Sequence, residues 1–229
     1  MNRLGFPPSK VKSLIQSLET SPYIGNIILM THFANADEAI GVRDQLALFN
    51  KVVDDSFDRS VANSAAIIRY PETHMEWVRP GIMLYGASPF EDQSSQDIGL
   101  QPVMSLHSNI IAVQNLDKGQ SVGYGSTFVA TNKTRVGIVA CGYADGYPRH
   151  APSGTPIMVA GKISRTLGRV SMDMLYVDLT DIPSADIHSE VELWGANISV
   201  DEVAKQAKTV GYELLCAISS SIRVPMEYA

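Results

Sequence analysis

The sequence predicts a piece of parallel α/β structure followed by an all-β domain, and three features carry that expectation. Up to Gly86, apolar strand-like runs alternate with helix-like periodicity, the βαβ pattern of a parallel sheet. Between about Ala87 and Gln101 the chain turns polar, with Ser88, Pro89, Glu91, Asp92, Gln93, Ser94, Ser95 and Gln96 forming a connector. Beyond it, short strand candidates follow one another at turn signals, as in an antiparallel sandwich or barrel. The expected domains are residues 1–95 and 96–229.

Taken in order, Val11, Leu14, Ile15 and Leu18 recur at the spacing of one helical face, with Ser9 expected at the N-cap and Thr20-Ser21-Pro22 as the stop. Asn26–Phe33 reads as a strand buried on both faces. A helix is expected from Glu38 to Lys51, with Ala39, Val42, Leu46 and Phe49 inward. Ser60–Ala66 reads as a strand and its exit loop, and Trp77–Gly86 as ending in a further strand. In the second part, strands are expected at Val103–Asn115, Thr134–Cys141, Pro156–Val159, Arg169–Asp178 and Glu190–Trp194. A helix at Val200–Thr209 carries a capping box, Ser199 with Glu202, and Tyr212–Ser219 is expected as the last strand. Three or four strands before Ala87 are too few to close a barrel of eight.

Composition narrows the partners. With 45% hydrophobic and 18% charged residues among 229, the chain is an ordinary globular one. A net charge of -6 argues against nucleic acid or an anionic membrane surface, while leaving room for a small anion held by local arginines. No apolar run approaches the ~20 residues of a spanning helix. Two cysteines, Cys141 and Cys216, each inside an apolar run, suit a reducing cytoplasm. No metal-ligand spacing occurs among the five scattered histidines.

Residues that could carry chemistry lie in loops. His32 ends an apolar strand, where ligand sites of parallel α/β architectures are found. The Ser64 hydroxyl and the backbone N–H groups of Gly81 and Ile82 are donors of the kind that bind phosphate, and Arg79 precedes them. Tyr124 and Tyr143 lie in glycine-flanked segments, Gly123-Tyr124-Gly125 and Gly142-Tyr143-Ala144-Asp145-Gly146-Tyr147. Glycine there lets backbone or ligand approach closely. In Gly168-Arg169-Val170-Ser171-Met172-Asp173, Asp173 could cap a turn or pair with an arginine, and the Met172 N–H could meet a carboxylate. Each segment taken alone is also compatible with an ordinary turn or strand.

Together, and in this order, Met1-Asn2-Arg3-Leu4-Gly5, Met30-Thr31-His32-Phe33, Ala62-Asn63-Ser64, Arg79-Pro80-Gly81-Ile82, Val122-Gly123-Tyr124-Gly125, Gly142-Tyr143-Ala144-Asp145-Gly146 and Gly168–Asp173 resemble the alanine racemase family. The resemblance covers nearly the whole chain. It implies an incomplete (β/α)8 TIM-type barrel segment followed by an all-β C-terminal domain. It also implies pyridoxal 5'-phosphate as cofactor, alanine as substrate and a homodimer. The implied reaction interconverts L- and D-alanine by two-base proton transfer, supplying D-alanine for peptidoglycan. Tyr124 resembles the base that acts across the dimer interface, with His32 and Arg79 as the hydrogen-bonded set behind it. Arg79 also resembles the arginine facing the pyridine nitrogen. Ser64, Gly81 and Ile82 match phosphate contacts. Arg3, Met172 and Asp173 match the substrate side, and Tyr143 the active-site entrance.

Two departures qualify the resemblance. The family's covalent cofactor lysine belongs to a Lys-Ala-Asn-Ala-Tyr-Gly-like motif, and none of the eight lysines here has that context. It is expected upstream of Met1, the chain resembling about the last 60% of a racemase, judged from the usual size of a barrel. Ser219–Pro225 has no tyrosine where many members place a phosphate ligand. Without the lysine, this chain alone is expected to be inactive. Other barrel-plus-β-domain pyridoxal enzymes, an amino-acid decarboxylase or a broader racemase, and a non-catalytic remnant stay open as readings.

Overall fold

The computed structural model describes residues 1–219, which fold as two compact units. The first comprises Met1–Leu84 with Ser88–Ile98; the second comprises Tyr85–Ala87 and the chain from Gly99 onward.

The first unit opens with α1 (Pro8–Glu19). Pro7 takes the N-cap position expected for Ser9, and Pro8 starts the helix, where its missing N–H costs nothing. None of the α1 residues is fully buried. The strand β1 covers only Ile28–Met30, pairs in parallel with β2 (Asp58–Ser60), and leaves Met30 exposed. Between them α2 runs from Arg43 to Val52, starting later than its periodicity suggests, and Ala39 lies exposed outside it. Val42 and Phe49 do face inward, joining Phe33, Ala36, Val61, Ala62, Ala65, Ala66 and Phe90 in the core. Residues after β2 enter α3 (Ser64–Arg69), whose first turn is capped by the Asn63 side chain. The apolar run ending at Gly86 is not a strand. Only Trp77 bridges β2, and Ile82–Tyr85 forms a 3-10 turn closed by a hydrogen bond from the Leu84 N–H to the Gly81 carbonyl.

The second unit is a closed six-stranded antiparallel barrel. Its strands are β3 (Leu106–Leu116), β6 (Thr134–Val139), β7 (Pro156–Val159), β8 (Lys162–Leu167), β9 (Leu175–Asp178) and β10 (Glu190–Trp194), in the order β10-β3-β6-β9-β8-β7. A separate hairpin, β4 (Ser121–Val122) with β5 (Phe128–Val129), is inserted between β3 and β6. Alternation places Val139, Ile157, Val159, Leu175 and Val177 inside the barrel. Gly137 is required there, because a Cβ would come 2.9 Å from Val177 Cγ2.

Several expectations fail in this unit. β8 is absent from the expected strands, although Ala160 and Gly161, both at positive φ, make the two-residue turn that joins it to β7. Tyr212–Ser219 is not a strand but part of α5 (Gly211–Ser219). Leu214, Leu215 and Ile218 share one helical face there and are buried, Ile218 against Gly146. With α4 (Val200–Gln206), capped by the Ser199 hydroxyl accepting from the Glu202 N–H, the domain is not purely β. The Ser220–Pro225 part of the segment lacking a tyrosine lies outside the described residues. Among the described residues, no helix is long and apolar enough to cross a membrane.

Candidate functional site

In the first unit the chemistry gathers beyond the carboxyl ends of β1 and β2. The Arg79 guanidinium donates through Nη1 to the Ser60 carbonyl at 2.7 Å and the Ser60 hydroxyl at 2.6 Å. Through Nη2 it donates to the Thr31 carbonyl at 2.8 Å and, more weakly, to Val61 at 3.4 Å. One planar cation thus ties the ends of both strands together, using the fixed fork that only arginine offers. Burial draws its pKa down from the usual value, but a guanidinium still stays protonated.

His32 follows β1 and is partly buried. Its backbone is held from α2. Gln45 Nε2 donates to the His32 carbonyl at 2.7 Å and to the Thr31 hydroxyl at 3.0 Å, and Gln45 Oε1 accepts from the Ala34 N–H at 3.1 Å. The ring Nε2 lies 3.5 Å from Asn63 Nδ2. Burial, then the positive charges of Arg79, Arg3 and the N-terminal ammonium, hold the His32 pKa below its ordinary 6.5. That shift favours the neutral imidazole.

Ser64 opens α3 and is buried, its hydroxyl accepting from the Gly81 N–H at 2.8 Å and the Met83 N–H at 3.5 Å. With its lone pairs used this way, the hydroxyl's own hydrogen remains as a donor. A Cβ on Gly81 would stand 3.6 Å from Ser64 Oγ. The missing side chain therefore leaves a small polar cradle. Ile82, next in sequence, is buried. Lys10, Lys12 and Lys51 lie on α1 and α2, away from the core.

In the second unit Tyr124 stands on a 3-10 turn between β4 and β5, 71% exposed. Gly123 and Gly125 both adopt positive φ, 75° and 73°, which glycine alone adopts without strain. The turn packs against the loop after β8. A Cβ at Gly123 would lie 3.4 Å from the Arg169 N, and one at Gly125 would lie 3.2 Å from Arg169 Nη1. Together with Ser171, Met172, Asp173, Met174 and Tyr176, this turn lines a cavity of about 440 Å³. The Arg169–Met174 part of the expected strand is this loop, closed by a hydrogen bond from the Ser171 N–H to the Met174 carbonyl.

Tyr143 joins the same loop through its backbone, its N–H donating to the Ser171 carbonyl and the Ala144 N–H to the Met172 carbonyl. The approach depends on Gly142, where any Cβ would collide with the Ser171 and Met172 carbonyl oxygens. The Tyr143 ring lies 6.0 Å from the Arg149 guanidinium. Elsewhere in this unit the stacked pair of Tyr147 and Trp194 is buried, and burial drives the Tyr147 phenol up.

The structure thus gathers the expected residues in two groups: His32, Ser64, Arg79 and Gly81 with Ile82 in one unit, and Tyr124, Met172, Asp173 and Tyr143 in the other. Arg3 is exposed but near enough to His32 to act on its charge. Sequence reasoning missed Gln45, Asn63 as a ring neighbour, Arg169 and Tyr176. Only Arg169 had a visible signal, the positive-φ Gly168 before it. A larger cavity of about 730 Å³, between α2 and Tyr70, contains none of these residues.

A parallel strand pair with its polar cluster at the carboxyl ends, and a small antiparallel barrel with an exposed tyrosine on its inserted hairpin, define a two-domain α/β-plus-β protein. Residues 1–89 match the family "Alanine racemase, N-terminal domain" and residues 103–228 match "Alanine racemase, C-terminal domain". The chain belongs to the alanine racemase family. It is 54% identical to an alanine racemase of Thiobacillus denitrificans over 228 residues, 99% of this chain and 62% of that protein. An alanine racemase of Burkholderia mallei is 53% identical over 229 residues, with 99% and 64% covered.

Among solved structures, the biosynthetic alanine racemase of Pseudomonas aeruginosa matches with a TM-score of 0.95 at 48% identity, covering 100% of this chain and 64% of that one. That of Acinetobacter baumannii gives 0.89 at 42%, covering 96% and 62%. The fold is that of the family, part of the N-terminal barrel domain plus the C-terminal β domain. The chain spans about 62–64% of the length of these relatives.

Proposed function

We propose that this chain carries the phosphate-side and proton-transfer residues of a pyridoxal-phosphate-dependent racemase acting on alanine. The observation that carries the reading is the Ser64–Gly81 cradle beside Arg79 and His32, beyond the ends of two parallel strands. The Ser64 hydroxyl hydrogen and the space left by the missing Gly81 side chain suit a phosphate oxygen, with the Ile82 N–H next along the backbone, the Gly81 N–H itself being held by Ser64 Oγ.

When bound, pyridoxal phosphate supplies stabilisation of negative charge at the alanine α-carbon. Arg79, already clamped by carbonyls, presents a fixed cation that gives up no proton. Tyr124 exchanges the α-proton as a positioned acid–base group. By the resemblance, His32 belongs to the hydrogen-bonded set that supports the proton transfer. Arg3, the Met172 backbone and Asp173 orient the substrate carboxylate, and Tyr143 lines the approach. We read the working form as a homodimer in which Tyr124 serves the partner's pocket, in the cytoplasm, making D-alanine for peptidoglycan.

None of the eight lysines matches the family's covalent one, so the 229 residues alone turn over no alanine even with the cofactor added. The cradle is tested apart from turnover, by retention of pyridoxal phosphate read from its absorbance after gel filtration. Ser64→Ala is expected to weaken retention about 10-fold, the value of one lost hydrogen bond to a charged group. Equal retention by Ser64→Ala and the unaltered chain would sink the assignment.

A further inference from the structure

We propose that Asn63 is a positioning residue that fixes the tautomer of His32, placing the ring proton on Nδ1 and the lone pair of Nε2 toward the Asn63 amide. The orientation of that amide is set at both ends. Oδ1 accepts the Ala66 N–H at 3.0 Å as the cap of α3, and Nδ2 donates to the Phe33 carbonyl at 3.4 Å. Flipping it would set an NH2 against an N–H and an oxygen against a carbonyl oxygen, losing both contacts. The group facing His32 Nε2 at 3.5 Å is therefore a donor, and a nitrogen facing a donor must accept. Gln45 holds the His32 backbone on the other side, so the ring cannot back away by a backbone shift.

Two effects then act in the same direction. A second proton on the ring would point an N–H at the Asn63 amide hydrogens, and the added charge would stand near Arg79, Arg3 and the N-terminal ammonium. Gln45 and Asn63 are uncharged, so no anion among the named neighbours offsets these cations. His32 is left as a neutral ring that donates only through Nδ1. The functional consequence, a one-sided donor among the residues that support proton transfer, rests on the racemase reading. The tautomer itself does not.

The test is a long-range ¹H–¹⁵N correlation spectrum of the cofactor-free 229-residue chain labelled at histidine, with His32 assigned by loss of its signals in His32→Gln. The expected pattern at about pH 7.5, well above the ordinary histidine pKa, is a protonated Nδ1 and an unprotonated Nε2. Asn63→Asp keeps an oxygen for the Ala66 N–H but offers an acceptor to the ring. It should move the proton to Nε2 and raise the His32 pKa by about one or more. Asn63→Ser keeps the cap and removes the amide, and should give mixed tautomers; it serves equally if the Asp variant does not fold.

A proton on Nε2 in the unaltered chain would overturn the assignment, as would variant spectra identical to it. The Nδ1 form in a chain that retains no pyridoxal phosphate would count against the racemase reading and not against Asn63. The Nε2 form in a chain that retains it would count against Asn63 alone.

Discussion

Replacing Arg79 by alanine removes a side chain that joins the ends of β1 and β2. Three of its contacts are 2.8 Å or shorter, to the carbonyls of Ser60 and Thr31 and the Ser60 hydroxyl. Hydrogen bonds to a charged group contribute about 1.5–3 kcal/mol each when made. Three would sum well above what is expected here, because the site is only partly buried and water can reach the vacated carbonyls. We therefore expect a loss of about 2–4 kcal/mol, well below that sum. The loss falls on the first unit, so a whole-chain melt would blur it, and hydrogen exchange resolved by peptide mass spectrometry is the suitable assay. Protection over Ile28–Ala34 and Asp58–Asn63 should fall by about 30-fold to about 700-fold, the same range converted at about 1.4 kcal/mol per decade. Barrel peptides from β6 and β9 should be unchanged. Arg79→Lys should fall between, because one ammonium cannot span both strand ends. Unchanged protection at Thr31 and Ser60 in Arg79→Ala would refute the clamp.

Two further predictions concern charge and packing. His32 has a folded pKa below its unfolded value of 6.5, so its neutral form contributes stability that is complete above pH 6.5 and lost as pH falls through the folded value. Arg3→Gln should raise that pKa, visible as an upward shift of the His32 titration by NMR; an unshifted curve would remove Arg3 from the site. Gly142→Ala drives a Cβ into the Ser171 and Met172 carbonyls, and backbone cannot yield as a side-chain tip can. A cost of about 3 kcal/mol, the upper end of ordinary overpacking, should appear as a lower urea midpoint. A midpoint equal to that of the unaltered chain would contradict the close approach.

What is legible in the sequence is mostly local. Pro156–Val159 and Glu190–Trp194 coincide with β7 and β10, because alternation and turn residues bracket them closely. The Ser199 cap is readable for the same reason. Tyr212–Ser219 misleads because a short apolar run has no decisive period; burial of Leu214 and Ile218 makes it a helix. Ile82–Tyr85 is apolar enough for a strand, but its backbone closes on itself after Gly81.

In the site, Tyr124 is marked by its flanking glycines, and His32 and Ser64 by their positions in loops. Asn63 and Gln45 are not, since their roles depend on partners up to 31 residues away, which no local pattern encodes. Glu192 shows the same limit. Nothing in its immediate sequence marks it as buried, yet it is, accepting from the Asn197 side chain and the backbone N–H groups of Asn197 and Ile198. Against the upward pull of burial, these contacts and the charge of His107 hold its pKa down.

The proposed function has Tyr124 exchange the α-proton of alanine. Its most direct measurement joins the upstream portion of the Thiobacillus denitrificans relative to Met1 and follows L- to D-alanine conversion with pyridoxal phosphate present. The fused protein should turn over. Tyr124→Phe in the same fusion should keep the cofactor and lose at least about 100-fold in rate, the lower bound for a positioned acid–base group. A fused protein that holds the cofactor without turnover, or a Tyr124→Phe variant as fast as its parent, would contradict the account.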